Sequence, residues 1–172
     1  MGAGPSVLDT QRVILGGISA GGGLAASTAL HWRDHTGAPL IALLLMYPML
    51  DHRSNSDSAQ QMLAAGSWDA SANAVAWGVY LAGATPDGYA SPALNDDLTN
   101  LPPTFIDVGS AETFRDECVD FASRMWSQGG DTELHVWPGG AHAFDALAPW
   151  AQMSKAARAA RVTWLRRLLS RE

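Results

Sequence analysis

Apolar residues in this chain fall into short continuous runs, separated by stretches with helical spacing. Arg12–Ile18 is an apolar run closing on Gly16-Gly17, and Leu40–Tyr47 is a second, stopped by Pro48. Pro103–Val108 and Glu133–Trp137 are predicted as a third and a fourth strand, the last halted by Pro138-Gly139-Gly140. A run with no polar alternation fits a strand covered on both faces, as in a parallel sheet. Between them, Gly21–Arg33, closed near Gly37, and Arg115–Ser127, ended by Gly129-Gly130, are predicted helices. Lys155–Leu169 is a last one, with Val162, Leu165 and Leu169 expected on its apolar side. The order predicts an α/β fold of about four parallel strands with flanking helices. Asp51–Leu101 breaks the rhythm. It is expected to be an excursion over the carboxyl edge of the sheet with one helix, Ala70–Leu81. The whole chain 1–172 reads as a single domain.

Composition narrows the classes. The chain has 172 residues, 47% of them hydrophobic, which allows a packed core. Only 16% are charged, against about 25% in an average domain. Seven tryptophans imply a large interior or apolar surface used for binding. A net charge of -6, with basic residues gathered only between Arg158 and Arg171, argues against nucleic acid as a partner. One cysteine, Cys118, excludes an internal disulfide and a cysteine-only zinc site. No apolar run approaches the ~20 residues of a membrane span, and the start has no signal-peptide pattern. Met1-Gly2 with Ser6 fits an N-myristoylation pattern, which small residues match by chance. The expected location is the cytoplasm.

Gly17-Ile18-Ser19-Ala20-Gly21 carries the sharpest chemistry. A G-x-S-x-G between a strand and a helix is a nucleophile elbow. Its serine is held in a strained turn at a helix N-terminus, where the dipole favours negative charge. The Ala20 N–H can point at an oxyanion. Gly21, Gly23 and Ala26 also give a formal G-x-G-x-x-A, but these glycines fall inside the predicted helix and no ribose-binding acid follows.

A serine nucleophile needs a base, and the base an orienting acid. Of five histidines, His31 and His35 end the first helix, His52 follows the second strand, and His135 lies within the fourth. His142 alone sits in a glycine-rich loop beyond a strand, where parallel sheets place their ligands. Asp107, Glu112, Asp116 and Glu117 compete for the acid; Glu112, in the turn after the third strand, is preferred, with Asp116 as runner-up. Met49, Met62, Leu63, Trp68, Trp77 and Tyr80 line a pocket or belong to the core.

From Arg12 to about Leu169 the chain resembles the C-terminal part of the bacterial hormone-sensitive-lipase-like esterases, a group of α/β-hydrolases. The matching stretches are GGISAGGGLAA (16–26), YPMLD (47–51), LPPTFIDVGSAETFRDE (101–117) and LHVWPGGAHAF (134–144). The resemblance implies that the strands are the fifth to eighth of that fold. It implies ester hydrolysis by Ser19, Glu112 and His142, with Ala20 at the oxyanion hole. It implies a small-molecule ester as partner and no metal or other cofactor. Relatives often have Asp where this chain has Glu112 and Gly where it has Ala143. They run to roughly 300 residues and carry a His-Gly-Gly-Gly segment upstream that supplies further oxyanion N–H groups; none occurs in this sequence. The isolated chain is therefore expected to be a weak or inactive esterase. Its first strand, as an exposed edge, is expected to promote self-association.

Overall fold

The computed structural model describes residues 12–37 and 40–170. The Met1-Gly2 pattern and the remainder of 1–11 lie outside them. Four strands form one parallel sheet: β1 (Ile14–Ile18), β2 (Ala42–Met46), β3 (Thr104–Gly109) and β4 (Thr132–Trp137). Their spatial order is their chain order. The helices are α1 (Ala20–His35), α2 (Asp57–Gln61), α3 (Ala70–Leu81), α4 (Arg115–Ser127), α5 (Phe144–Leu147) and α6 (Gln152–Leu169), with a 3-10 turn at Pro92–Leu94.

Period-two alternation divides the core. Leu43 and Leu45 of β2 and Ile106 and Val108 of β3 point to the side filled by Ala26, Ala29 and Leu30 of α1 and by Phe121 and Met125 of α4. Ala42 and Phe105 point to the other side, where Trp164 of α6 covers them. This is why the apolar run of β2 is continuous: both of its faces are roofed. The edge strand β1 is different. Ile14 is 37% and Ile18 51% exposed, and its only strand partner among the described residues is β2.

Two sequence expectations shift. The buried residues of α6 are Ser154, Ala157, Arg161 and Trp164; Val162 and Leu169 are exposed. Arginine is disfavoured inside unless paired, and Arg161 is paired, with Asp107 and Asp145. The stretch between β2 and β3 holds a second helix, α2. Its Ser56 cap accepts from the Ala59 N–H at 3.2 Å, and five residues are too few for a periodic signal. The helix α3 spans the residues expected of it. Asp69 caps it by accepting from Ala72 N at 2.8 Å.

Candidate active site

Ser19 is the single residue between β1 and α1. Its backbone is at φ 56°, ψ −123°, a conformation that costs about 1–3 kcal/mol and persists only where neighbours hold it. They do. The Ser19 N–H donates to Met46 O at 2.9 Å, and the Ser19 carbonyl accepts from Gly23 N and Met49 N, each at 3.0 Å. The turn is so tight that a Cβ on Gly17 would stand 2.0 Å from the Gly21 carbonyl oxygen. A Cβ on Gly23 would stand 2.1 Å from Met49 O, whereas Gly21 has open space on its own side. Small size is thus needed at Gly17 and Gly23, and not at Gly21.

Ala20 is the first residue of α1, so its N–H is among the four that have no acceptor within the helix. A cleft of about 120 Å³ opens beside Ser19 and Ala20, walled by Leu24, Met49, Trp68, Trp77 and Tyr80. Met62 and Leu63 are not part of its wall, and Leu63 is exposed.

The loops after β3 and β4 are laced together. Ser110 N donates to Trp137 O at 2.8 Å, Ala111 N to Gly140 O at 2.9 Å, and Gly139 N to Ser110 Oγ at 2.8 Å. Glu112 comes from the first loop and His142 from the second. His142 Nδ1 is 3.1 Å from Glu112 Oε1, and His142 Nε2 is 3.0 Å from Ser19 Oγ. Ionised Glu112 can only accept. Nδ1 therefore donates, which leaves Nε2 to accept from the Ser19 hydroxyl. The second carboxylate oxygen of Glu112 accepts from Gly109 N at 3.1 Å. Burial raises the Glu112 carboxyl above its ordinary pKa, opposed by the hydrogen bonds from His142 and Gly109.

The imidazole is boxed in. Tyr47 and Phe114 meet it edge to face, each with centroids 5.1 Å away, and Trp68 lies 6.1 Å away. Ser67 donates its hydroxyl to the His142 carbonyl at 2.6 Å. Ala143 takes φ 59°. That is the left-handed region, which is easier for glycine than for alanine.

The other candidates are engaged elsewhere. Asp116 accepts from Ser58 N and Arg115 Nε, both at 2.7 Å. Burial lifts its carboxyl, but those hydrogen bonds prevail and hold it below its ordinary value. Glu117 accepts from Leu50 N at 2.7 Å, and burial pushes its carboxyl well up. Asp107 pairs with Arg161. His31 and His35 stack on each other, His52 meets Ser91, and His135 binds Glu133 between the rings of Phe105 and Trp137. Ser67 and Tyr47 also belong to the surroundings of His142. Tyr47 stands in the YPMLD stretch, but nothing local marks Ser67.

A strand-turn-helix serine joined to a histidine and a carboxylate from later loops defines a class, the α/β-hydrolases. The sequence profile described as alpha/beta hydrolase fold matches residues 3–146. This chain belongs to that family. It resembles the bacterial hormone-sensitive-lipase-like esterases within it. Esterase LipI of Mycobacterium tuberculosis is 30% identical over 131 residues, which cover 74% of this chain and 41% of LipI. Carboxylesterase/phospholipase LipF of the same species is 31% identical over 148 residues, covering 81% of this chain and 39% of LipF. Among solved structures, esterase LipW from Mycobacterium marinum superposes with a TM-score of 0.90 at 36% identity, over 94% of this chain and 51% of LipW. A bacterial heroin esterase gives 0.90 at 34%, over 94% of this chain and 53% of its own. The chain thus spans about two-fifths of these curated relatives and about half of these solved esterases. Among the described residues no group of three or more His, Cys, Asp or Glu is placed to hold a metal ion, and no helix is long and apolar enough to cross a membrane.

Proposed function

We propose that this chain carries the reacting residues of a serine carboxylesterase. The observation that carries the reading is the continuous hydrogen-bonded path from Ser19 Oγ through His142 to Glu112, with links of 3.0 and 3.1 Å. Ser19 Oγ attacks the acyl carbon of an ester while His142 Nε2 takes its proton. Glu112 keeps the proton of Nδ1 in place and offsets the charge of the imidazolium. The Ala20 N–H meets the oxyanion. His142 then gives its proton to the leaving alkoxide, and water, activated by the same imidazole, resolves the acyl-enzyme.

The apolar wall of the cleft favours small or medium acyl groups. The sequence supplies no His-Gly-Gly-Gly donors, and loss of one oxyanion donor typically lowers the rate by about 10²–10³. The isolated chain is therefore assigned a reduced rate. Its exposed β1 edge, with Ile14 and Ile18 outward, is assigned a role in self-association.

The test is labelling with a fluorophosphonate, followed by peptide mapping. Adduct on Ser19, together with slow hydrolysis of a p-nitrophenyl ester, is the expected result. A folded chain that never labels is a non-catalytic remnant of the hydrolase fold, and the esterase reading fails.

A further inference from the structure

Behind the His142 loop lies a buried polar group that the chemistry above does not use. Arg161 of α6, Asp107 of β3 and Asp145 of α5 are each at most 7% exposed. Asp107 Oδ2 accepts from Arg161 Nε at 2.9 Å and from Trp137 Nε1 at 3.1 Å, and Arg161 Nη2 stands 2.8 Å from it as an ion-pair contact. The remaining arm of the guanidinium, Nη1, donates to Asp145 Oδ2. Tyr47 donates its hydroxyl to Asp145 Oδ1 at 2.8 Å and its backbone N–H to Asp107 O at 2.6 Å. The same Tyr47 ring packs edge to face on His142.

The positions of the two aspartates matter. Asp107 lies five residues before Glu112, on the strand that delivers the acid. Asp145 lies three residues after His142, in the first turn beyond the loop that delivers the base. One guanidinium therefore ties the acid's strand to the base's loop. Docking of α6 does not require it, because Trp164 already packs on Phe105 with ring centroids 5.5 Å apart. Buried ion pairs often add little stability over apolar residues of the same shape, and a registry role is their best-attested use. The planar fork of arginine, unlike an ammonium, can hold two carboxylates at fixed angles.

We propose that Arg161 is a positioning residue, whose bridge from Asp107 to Asp145 holds the His142 loop in register with Glu112 and Ser19. Its effect on chemistry rests on the esterase reading; its effect on the loop does not. Arginine at this place acts through Tyr47 and Asp145 and touches no reacting atom.

The experiment compares the 172-residue chain with Arg161→Lys and with Arg161→Met/Asp107→Asn/Asp145→Asn. The second variant leaves no buried charge unpaired, so a folding failure of the first does not end the test. Circular dichroism selects folded proteins, and hydrogen exchange by mass spectrometry is then read peptide by peptide. Exchange across residues 139–147 should accelerate at least about tenfold, while that of β2 stays within about twofold. Fluorophosphonate labelling of Ser19 should slow by about 10–100-fold, as expected for a base displaced by up to ~1 Å. KM for a p-nitrophenyl ester should stay within about twofold while kcat falls. Unchanged exchange at 139–147 in a folded variant overturns the proposal. So does faster exchange spread evenly over the sheet, which marks a merely structural role. If the unaltered chain does not label, the esterase reading fails by itself, and the exchange comparison still decides whether the clamp exists.

Discussion

His142 Nε2 stands 3.0 Å from Ser19 Oγ, although 123 residues of chain separate them. The contact is made at the junction of β1 with α1 and in the loop beyond β4, at opposite edges of a four-stranded sheet. The serine hydroxyl is the group the proposal depends on most. Ser19→Ala should abolish fluorophosphonate labelling and reduce ester hydrolysis to the uncatalysed level, with the far-ultraviolet spectrum unchanged. Residual turnover in that variant would move the nucleophile elsewhere.

Glu112 and Asp116 separate cleanly in space, and their variants should separate in rate. Glu112→Gln keeps the shape but no longer fixes the histidine tautomer, and acylation should fall by about 10²–10⁴. Asp116→Asn disturbs contacts with Ser58 and Arg115, away from His142, and should change acylation less than about threefold. Equal losses in the two variants would refute the assignment of the acid. The measurement is the labelling rate constant for each.

The glycines of the elbow should respond unequally. Gly17→Ala drives a methyl into the Gly21 carbonyl and should destabilise the fold by about 3 kcal/mol or more. Gly21→Ala adds a methyl into open space in the first turn of α1. There it should be neutral, or stabilise by up to ~1 kcal/mol. Urea unfolding of both variants measures the difference.

Glu117 gives the pH dependence a sign. Burial raises its folded carboxyl well above the ordinary 4.5. The folded chain therefore holds a proton that the unfolded chain has released. Stability falls as pH rises through that window, because fewer protons are bound to the unfolded state. Burial shifts Glu112 in the same direction. Glu117→Gln cannot ionise and keeps an oxygen for the Leu50 N–H. Between about pH 5 and pH 7 its urea midpoint should fall less than that of the unaltered chain. Parallel midpoints would show that Glu117 does not titrate differently on folding.

The β1 edge should be sensitive to charge. Ile14→Lys places an ammonium on the exposed strand, a device that blocks strand addition. Light scattering and size exclusion should show less association than for the unaltered chain. Association of equal strength would place the contact elsewhere.

Much of the fold is legible in the sequence. All four strands coincide with predicted ones, and β2 is a continuous apolar run because both of its faces are covered. Ser19 and His142 stand out in the sequence as turn residues at the ends of strands, and Glu112 as the preferred of several acids, with Asp116 as runner-up. What was not legible depends on partners far along the chain. Arg161 looked like part of a solvated helix face, and only its pairing with Asp107 and Asp145 accounts for its burial. Ser67 has no distinguishing neighbourhood in sequence, yet it holds the His142 carbonyl. Of the apolar residues between β2 and β3, periodicity could not separate Trp68 and Trp77, which reach the cleft, from Leu63, which faces solvent.

Strand order and chain order coincide in this sheet, and the three polar residues sit after β1, β3 and β4 in turn. A ribosome making the chain therefore releases the proposed nucleophile first and its proposed base last. A nascent chain stopped short of residue 142 would carry Ser19 without any means of activating it. On the proposed assignment, Ser19 gains its base only once synthesis has passed residue 142, after all four strands of this sheet have been made.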